Sequence, residues 1–324
     1  MQRLSKAVIL VSVVFLSAFG AAEAVAQTYP FKTMRLVLPN APGGTLDQLG
    51  RAIGQQLALA WGQPVVVDNR AGAGGNIGIG LVAKSPADGY TLLLTSVSFT
   101  TNAALYSKPA FDPIRDFAPV TLVAASQNAL IVHPSLPVIS VRDMIQLARS
   151  QPGHLNFSSA GIGTSQHLAG ELFKLMAGVK MQHIPYKGGA QGLTALISGE
   201  VSLIFNNLFT ALPYVKEKRL RAVAVTSARR SPAAPELPTI AESGLPGYNV
   251  STWYGLLVPA GTPQAVIAKL NTEVVRILNQ SETKEQVGNV VELIPGTPDQ
   301  FAAHLKREIA QWRDVVKRSG ARAD

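Results

Sequence analysis

The stretch RLVLPNAPGGT at residues 35–45 begins as an apolar strand, passes through a loop of small residues and ends where a helix begins. The apolar residues of that helix recur every three or four positions: Leu46, Leu49, Ile53, Leu57 and Trp61. This spacing places them on one face and predicts a helix packed on a core.

The same order returns about 120 residues later in LNFSSAGIGTS at residues 155–165. In both loops glycine lets the backbone approach a ligand closely. A Thr or Ser stands at each helix start, where free N–H groups and the helix dipole favour an anion. Either loop alone could be an ordinary strand-to-helix turn, but the pair indicates two loops that clasp a small anion.

Strand and helix patterns alternate along the rest of the chain. Ten short strands are predicted, among them Leu130–His133 and Gly255–Pro259, with helices between them. Thr262-Pro263 and Thr297-Pro298 have the N-cap and first-turn residues that open helices. The alternation predicts an α/β fold with mostly parallel sheets.

Composition excludes several classes of protein. The chain has 324 residues, no Cys, 47% apolar residues and a net charge of +9. Zero Cys excludes a disulfide framework, a Cys-ligated metal site and thiol catalysis. The length suits two domains. Because the basic residues are scattered and not interleaved with aromatics, we expect solvated faces and no nucleic-acid partner.

The N-terminus has the pattern of a secretory signal. Arg3 and Lys6 precede an uncharged, largely apolar run, Ala7–Ala22, which is short for a membrane span. Small residues at Ala24 and Ala26 fit signal peptidase. Residues 1–26 are therefore predicted to be a signal peptide that exports the protein to the periplasm; an uncleaved anchor helix is the alternative.

No enzyme motif accompanies these features. The glycine-rich stretch at residues 72–80 lacks the acidic residue that a dinucleotide ribose needs after the next strand. No Gly-Lys pair makes a phosphate loop, no His spacing suits zinc, and no Gly-x-Ser-x-Gly elbow occurs. We predict no catalytic residues, no cofactor and no metal; an exported α/β enzyme is a weaker alternative.

Several segments match one known family in the same order: PGGTLD (42–47), GQPVVVDNRAGAGGNIG (62–78), ADGYTL (87–92), SAGIGTSQHLAGE (159–171), IPYKGG (184–189), AVAVTS (222–227), WYGLLVP (253–259) and GTP (261–263). On these motifs the sequence resembles the periplasmic solute-binding proteins of tripartite tricarboxylate transporters, the TctC or Bug family. The likeness extends over nearly the whole chain after residue 26.

The resemblance implies a two-domain periplasmic-binding-protein-like clamp with the ligand cleft between the domains. Domain one would comprise residues 27–126 plus 251–324, and domain two residues 127–250. The protein would bind a small organic carboxylate, as a monomer, and deliver it to membrane transporter subunits. A periplasmic sensor that presents its bound state to a membrane signalling protein is the alternative.

The resemblance also implies a set of ligand-binding residues. Backbone and hydroxyl groups would bind the carboxylate at Gly161, Gly163, Thr164 and Ser165. The opposite wall would be shaped by Gly43, Gly44, Thr45 and Asp47. Further residues would line the cleft: Asn76, Ser96, Ser98, Tyr186, Gly188 and Asn206.

Two positions depart from the family pattern. Asn40 stands where relatives often carry an aromatic residue, and Asn206 where Asp is frequent. A neutral Asn206 removes a repulsion toward an anionic group and loses a partner for an amine, which favours plain organic carboxylates over amino acids. Arg70 could add charge to the site or form a structural ion pair.

Overall fold

The parallel strands of the computed structural model lie in two groups, and helices follow them at one edge of each group. The structure describes residues 29–288, 290–320 and 322. The predicted signal peptide, residues 1–26, lies outside the described residues. The elements given below all belong to one compact unit, residues 32–324.

The strands are β1 (Met34–Leu38), β2 (Val65–Asn69), β3 (Thr91–Ser96), β4 (Phe117–Val132), β5 (Asn156–Ser159), β6 (Gln182–Pro185), β7 (Leu203–Asn207), β8 (Arg221–Val225), β9 (Ser251–Pro259) and β10 (Glu292–Leu293). The α-helices are α1 (Thr45–Trp61), α2 (Asn76–Ala83), α3 (Ser98–Leu105), α4 (Val141–Ser150), α5 (Ser165–Ala177), α6 (Gly189–Ile197), α7 (Leu208–Lys216), α8 (Gln264–Asn279), α9 (Ser281–Val287) and α10 (Pro298–Ser319). A short 3-10 turn, Ala73–Gly75, precedes α2.

The fold is mixed α/β, as predicted. Strands β2, β1 and β3 are parallel neighbours in one group, and β6, β5 and β7 are parallel neighbours in the other. Between the groups, β4 and β9 run antiparallel to each other and to the strands beside them. Because parallel strands end at a common edge, the helices after β1, β3 and β5 begin at such edges.

Strand β4 joins the two groups. Residues 117–127 pair with β9, and from Asn128 onward the strand pairs with β7 and β8. Sequence patterning predicted only its end, Leu130–His133, and missed residues 117–129. Two register irregularities interrupt the pairing with β9, at Pro119/Thr121 and at Leu122/Ala124. Such irregularities break the two-residue period on which strand prediction depends.

One buried apolar cluster extends from the first group into the second. It includes Val37 of β1, Leu130 of β4 and Phe205 of β7. The C-terminal helix begins as predicted, with a capping box between Thr297 and Gln300. None of the helices in the described part of the chain has both the length and the apolar character to cross a bilayer.

Candidate functional site

Two turns share one backbone arrangement. Gly43 and Gly163 both have positive φ, +87° and +81°. Each glycine donates its N–H to the side chain four residues further on: Gly43 to Asp47 Oδ2 at 3.0 Å, and Gly163 to His167 Nδ1 at 3.2 Å. We call these the α1 turn (residues 42–47) and the α5 turn (residues 160–167). The sequence echo therefore corresponds to a repeated local structure.

Asp47 organises the α1 turn. Its buried carboxylate also accepts hydrogen bonds from Arg51 Nε at 2.9 Å and Asn69 Nδ2 at 3.0 Å. Burial alone would raise the pKa of Asp47, but the bonds from Arg51, Gly43 and Asn69 outweigh it and hold that pKa below its usual value. Asp47 therefore supports the turn as an anion.

The α5 turn is held by three side chains. The N–H of Ala160 donates to Gln166 Oε1 at 2.6 Å, and the N–H of Gly161 donates to Ser159 Oγ at 3.1 Å. Because Gly163 donates to His167, the amides of both predicted glycines are already used within the turn. Their role as carboxylate ligands stays a prediction; in this structure they shape the turn.

Other amides in both turns remain without an acceptor among the described residues. They include Gly44, Thr45 and Leu46 in the α1 turn, and Ile162, Ser165 and Gln166 in the α5 turn. Unpaired N–H groups at a helix start, aligned with the helix dipole, favour an anion. Each turn therefore presents donors without a buried cation.

Two imidazole rings stack beneath the α5 turn. The ring centroids of His167 and His183 are 4.1 Å apart, and His183 also stacks on Phe157 at 4.9 Å. His183 Nε2 lies 2.6 Å from Ser159 Oγ. Burial lowers the pKa of His167 to about 4 and that of His183 to about 3, and the charge of Lys174 adds to both shifts. Both rings are therefore neutral at neutral pH.

The start of α5 rests on strands β4 and β9. Ser165 Oγ lies 2.6 Å from Thr252 Oγ1 and accepts a hydrogen bond from Asn128 Nδ2 at 3.2 Å. All three side chains are buried. The hydroxyl of Ser165 is thus fixed on a polar face of the antiparallel strands β4 and β9.

The start of α1 lies on the same pair of strands. The Thr45 side chain lies close enough to the Tyr254 hydroxyl to oppose the rise that burial causes in its pKa, and this hydroxyl lies 3.4 Å from Ser126 Oγ. Tyr254 and Thr252 are two residues apart on β9, so they share a face and are separated by about 7 Å. Thr45 and Ser165 therefore lie on one face of the antiparallel strands β4 and β9.

Helix α3 and the glycine loop at residues 72–75 both approach the α5 turn. Thr101 Oγ1 donates to the carbonyl of Gly163 at 2.8 Å, and Asn102 Nδ2 donates to the carbonyl of Gly74 at 3.1 Å. A methyl group added at Gly74 would lie 2.9 Å from the Ile162 carbonyl. The Oδ1 atom of Asn102 is buried without a partner. Helix α3 therefore bonds both to the α5 turn and to the loop at residues 72–75, and these two segments lie against each other at Gly74 and Ile162.

Three further predicted residues lie around the first strand group. Ser96 ends β3 opposite Tyr254, and Ser98 begins α3 with its hydroxyl close to Gly75. Asn76 begins α2, but its Oδ1 accepts from the Ala110 N–H at 3.4 Å. Ser96 thus lies beside Tyr254 and Ser98 beside the loop at residues 72–75, whereas the Asn76 side chain is committed to a neighbouring loop.

Three predicted residues lie in the second strand group. The Tyr186 hydroxyl donates to Glu200 Oε1 at 2.8 Å, so it is paired away from the α5 turn. Asn206 is buried and accepts from Gln166 Nε2 at 2.5 Å, which makes it a support for the turn. Gly188 is the residue before α6, with open space where a side chain would begin.

Sequence patterning missed several residues that hold the site together. They are Thr101, Asn102, Ser126, Asn128, Gln166, His167, His183, Thr252 and Tyr254. The available signal was polar residues two positions apart within otherwise apolar strands, as at Ser126 and Asn128. That signal required β4 to be identified as a strand along its whole length.

Arg70 forms an ion pair rather than a free cation. Its Nε lies 2.9 Å from Asp68 Oδ1, and Arg35 also pairs with Asp68. Of the two roles considered for Arg70, a charge in the ligand site or a structural ion pair, the ion pair describes this geometry. Within the described residues, no three His, Asp or Glu side chains are grouped so as to hold a metal ion.

Comparison with known proteins identifies the family. Residues 49–321 match the model of the tripartite tricarboxylate transporter family receptor. The chain belongs to this receptor family. BugT of Bordetella pertussis is 35% identical over 313 residues, which cover 95% of this chain and 96% of that protein.

Solved structures of this receptor family have the same fold. A protein of R. palustris with adipate is 39% identical, with a TM-score of 0.83, and covers 90% of this chain and 98% of its own. MatC from Rhodopseudomonas palustris with bound malate is 32% identical, with a TM-score of 0.82, and covers 89% of this chain and 100% of its own. The predicted TctC/Bug membership and the periplasmic-binding-protein-like fold are confirmed.

Proposed function

We propose that this receptor-family protein binds a small organic carboxylate in the periplasm and delivers it unchanged to membrane subunits of a tripartite tricarboxylate transporter. The observation that carries the proposal is the convergence of two turns with unpaired amides on one polar face of β4 and β9. Neutral donors bind a carboxylate without the desolvation of a buried ion pair. Relatives solved with adipate and with malate bind molecules of this class.

The carboxylate is assigned to the α5 turn rather than the α1 turn. The α1 turn contains the charged carboxylate of Asp47, which repels an anion although Arg51 partly offsets it. In the α5 turn the equivalent side chain is the neutral His167. The α1 turn then faces the remainder of the ligand, through Gly44 and Thr45.

The two proposed lobes are residues 27–126 plus 251–324 and residues 127–250. Strand β4 changes partners between Gln127 and Asn128, and β9 begins at Ser251 opposite Gln127. Rotation about these two crossings would open and close a cleft between the lobes. Small-angle scattering should show a smaller radius of gyration with saturating ligand; an unchanged radius would contradict the hinge.

The ligand is tested first by native mass spectrometry of the freshly purified protein and then by calorimetry with adipate, malate and an uncharged diamide of adipate. We expect at least one carboxylate to bind with one-to-one stoichiometry and to be recovered unchanged, while the diamide does not bind. Chemical turnover of the bound molecule would favour an enzyme instead.

The site is tested by the double substitution Thr164→Ala with Ser165→Ala. Loss of a charge-assisted hydrogen bond costs about 1.5–3 kcal/mol, so affinity should fall at least about tenfold. Thr194→Ala with Ser198→Ala is the control, because both hydroxyls bond to carbonyls of their own helix. Equal affinity of the two double variants would show that the Thr164 and Ser165 hydroxyls do not contact the carboxylate.

Delivery is tested by transport. Membrane vesicles that contain the partner subunits should take up the identified carboxylate only when the loaded protein is added. Binding without uptake, combined with ligand-dependent association with a membrane signalling domain, would favour the sensor alternative.

A further inference from the structure

The α1 turn and the α5 turn use different side chains in the same place. Asp47 and His167 each accept the N–H of the glycine four residues earlier, through an atom bonded to Cγ. The next equivalent position carries Arg51 after Asp47 and Glu171 after His167. The repeat therefore conserves the shape of the turn and changes its charge.

We propose that His167 is a positioning residue for ligand binding: its uncharged ring, stacked on His183, fixes the Gly163–Ser165 backbone for an anion without adding negative charge. The inference rests on the proposed carboxylate binding and goes beyond it. It explains why the two otherwise similar turns would take different parts of the ligand.

The geometry requires the unprotonated form of Nδ1. The Gly163 N–H points at this atom from 3.2 Å, so a proton on Nδ1 would place two donors against each other. His167 Nε2 lies 3.9 Å from Glu171 Oε1, which is consistent with the proton being on Nε2.

The surroundings keep the ring uncharged. His183 faces it from β6 at 4.1 Å between centroids, and two charged imidazoles at that distance would repel each other. Glu171 could favour a charged ring, but it is paired with Lys174 Nζ at 2.8 Å on the same helix. One face of the His167 ring is thus covered by an uncharged partner, and the carboxylate nearest to Nε2 is already paired with a lysine.

The positioning role is tested first on the ligand-free protein by NMR. Three variants are compared: His167→Asn keeps a neutral acceptor, His167→Asp keeps an acceptor but adds charge, and His167→Leu removes the acceptor. We expect the Gly163 amide to stay protected from exchange in the Asn and Asp variants and to exchange at least about tenfold faster in the Leu variant. His133→Asn is the control, because His133 Nδ1 accepts a local N–H outside the site.

The charge requirement is tested by calorimetry with adipate as the probe. His167→Asn should bind within about threefold of the unmodified protein, and His167→Asp should bind at least about tenfold more weakly although its turn is intact. A residue with a merely structural role would give equal affinities for these two variants. Equal affinities would overturn the proposal, as would unchanged Gly163 protection in the Leu variant.

Nitrogen NMR of the His167 ring gives a readout that needs no ligand. We expect the Nε2–H neutral tautomer at pH 5.5; a charged ring at that pH would overturn the proposal. If the unmodified protein binds neither adipate nor malate, the proposed function fails, whereas the Gly163 exchange and the ring tautomer still decide the role of His167.

Discussion

Single residues with unusual surroundings are found outside the site as well as in it. The carboxylate of Glu308 on α10 accepts two indole N–H groups on one oxygen, from Trp253 at 2.9 Å and Trp312 at 2.8 Å. Burial raises the pKa of Glu308, although the two indole bonds partly oppose this. The residue joins the C-terminal helix to strand β9.

Substitution of Glu308 should separate the effect of its charge from that of its hydrogen bonds. Glu308→Gln keeps an acceptor and removes the buried charge, so the free energy of unfolding should change by less than about 1 kcal/mol. Glu308→Leu leaves two buried indole donors unpaired and should cost about 2–4 kcal/mol. Urea unfolding measures both; equal stability of the two variants would show that the indole bonds contribute little.

Asp47 should matter for stability as well as for the shape of the α1 turn. Asp47→Ala removes the acceptor of Gly43, Arg51 and Asn69, and we expect a loss of about 2 kcal/mol in urea unfolding. Because the folded pKa is lowered, this stabilisation is present above pH 4 and disappears as pH falls through the folded value. A variant with unchanged stability at pH 7 would contradict the assignment.

At the scale of elements, helix α5 lies unusually close to strand β5. A methyl group added at Gly170 would collide with the ring of Phe157, which is fully buried and stacked on His183. Alanine normally stabilises a helix interior relative to glycine by about 1 kcal/mol. At this position the close approach reverses that preference.

Gly170→Ala should therefore destabilise the protein by about 1–3 kcal/mol, because the added methyl group would displace the buried Phe157 ring from its stacking on His183. Gly54→Ala in α1 is the matched control, since its nearest contact would be the Cγ2 of Val67 at 3.2 Å. We expect a clearly smaller loss for the control in thermal unfolding. A stabilised Gly170→Ala protein would show that α5 can shift away from β5.

At the scale of the whole molecule, one buried histidine and two half-buried ones make stability depend on pH. Burial lowers the pKa of His167 to about 4, of His183 to about 3 and of His304 to about 4. The unfolded chain takes up protons near pH 6.5, while these folded rings do not. Three groups therefore favour unfolding as acid is added, and the raised pKa of Glu308 opposes them.

The free energy of unfolding should fall steadily as pH decreases from 6.5 to about 4. Urea unfolding at half-unit pH intervals measures this slope. His304→Phe should reduce the slope, because it removes one of the three groups and keeps a ring beside Trp253 and Phe301. A free energy of unfolding that stays constant across this pH range would contradict the conclusion that the folded protein keeps these histidine rings uncharged.

Local features of the site could be predicted from the sequence. The strand–loop–helix order at residues 35–45 and 155–165 placed Thr45 and Ser165 at helix starts, because capping and glycine preferences act over a few residues. Local reasoning does not reveal that the side chains of Tyr186 and Asn206 bond to Glu200 and Gln166, and the place of these two residues in the cleft stays a prediction. Partners distant in sequence are not visible in a local pattern.

The sequence by itself determined the α/β class, the two glycine turns and the family, since these follow from periodicity and from short motifs. Only the tertiary structure decided that Thr45 and Ser165 lie on one face of strands β4 and β9, and that a histidine pair supports one turn while Asp47 supports the other. The reason is physical: strand β4 passes from one group of strands to the other, and the contacts that this crossing creates join residues that are far apart along the chain.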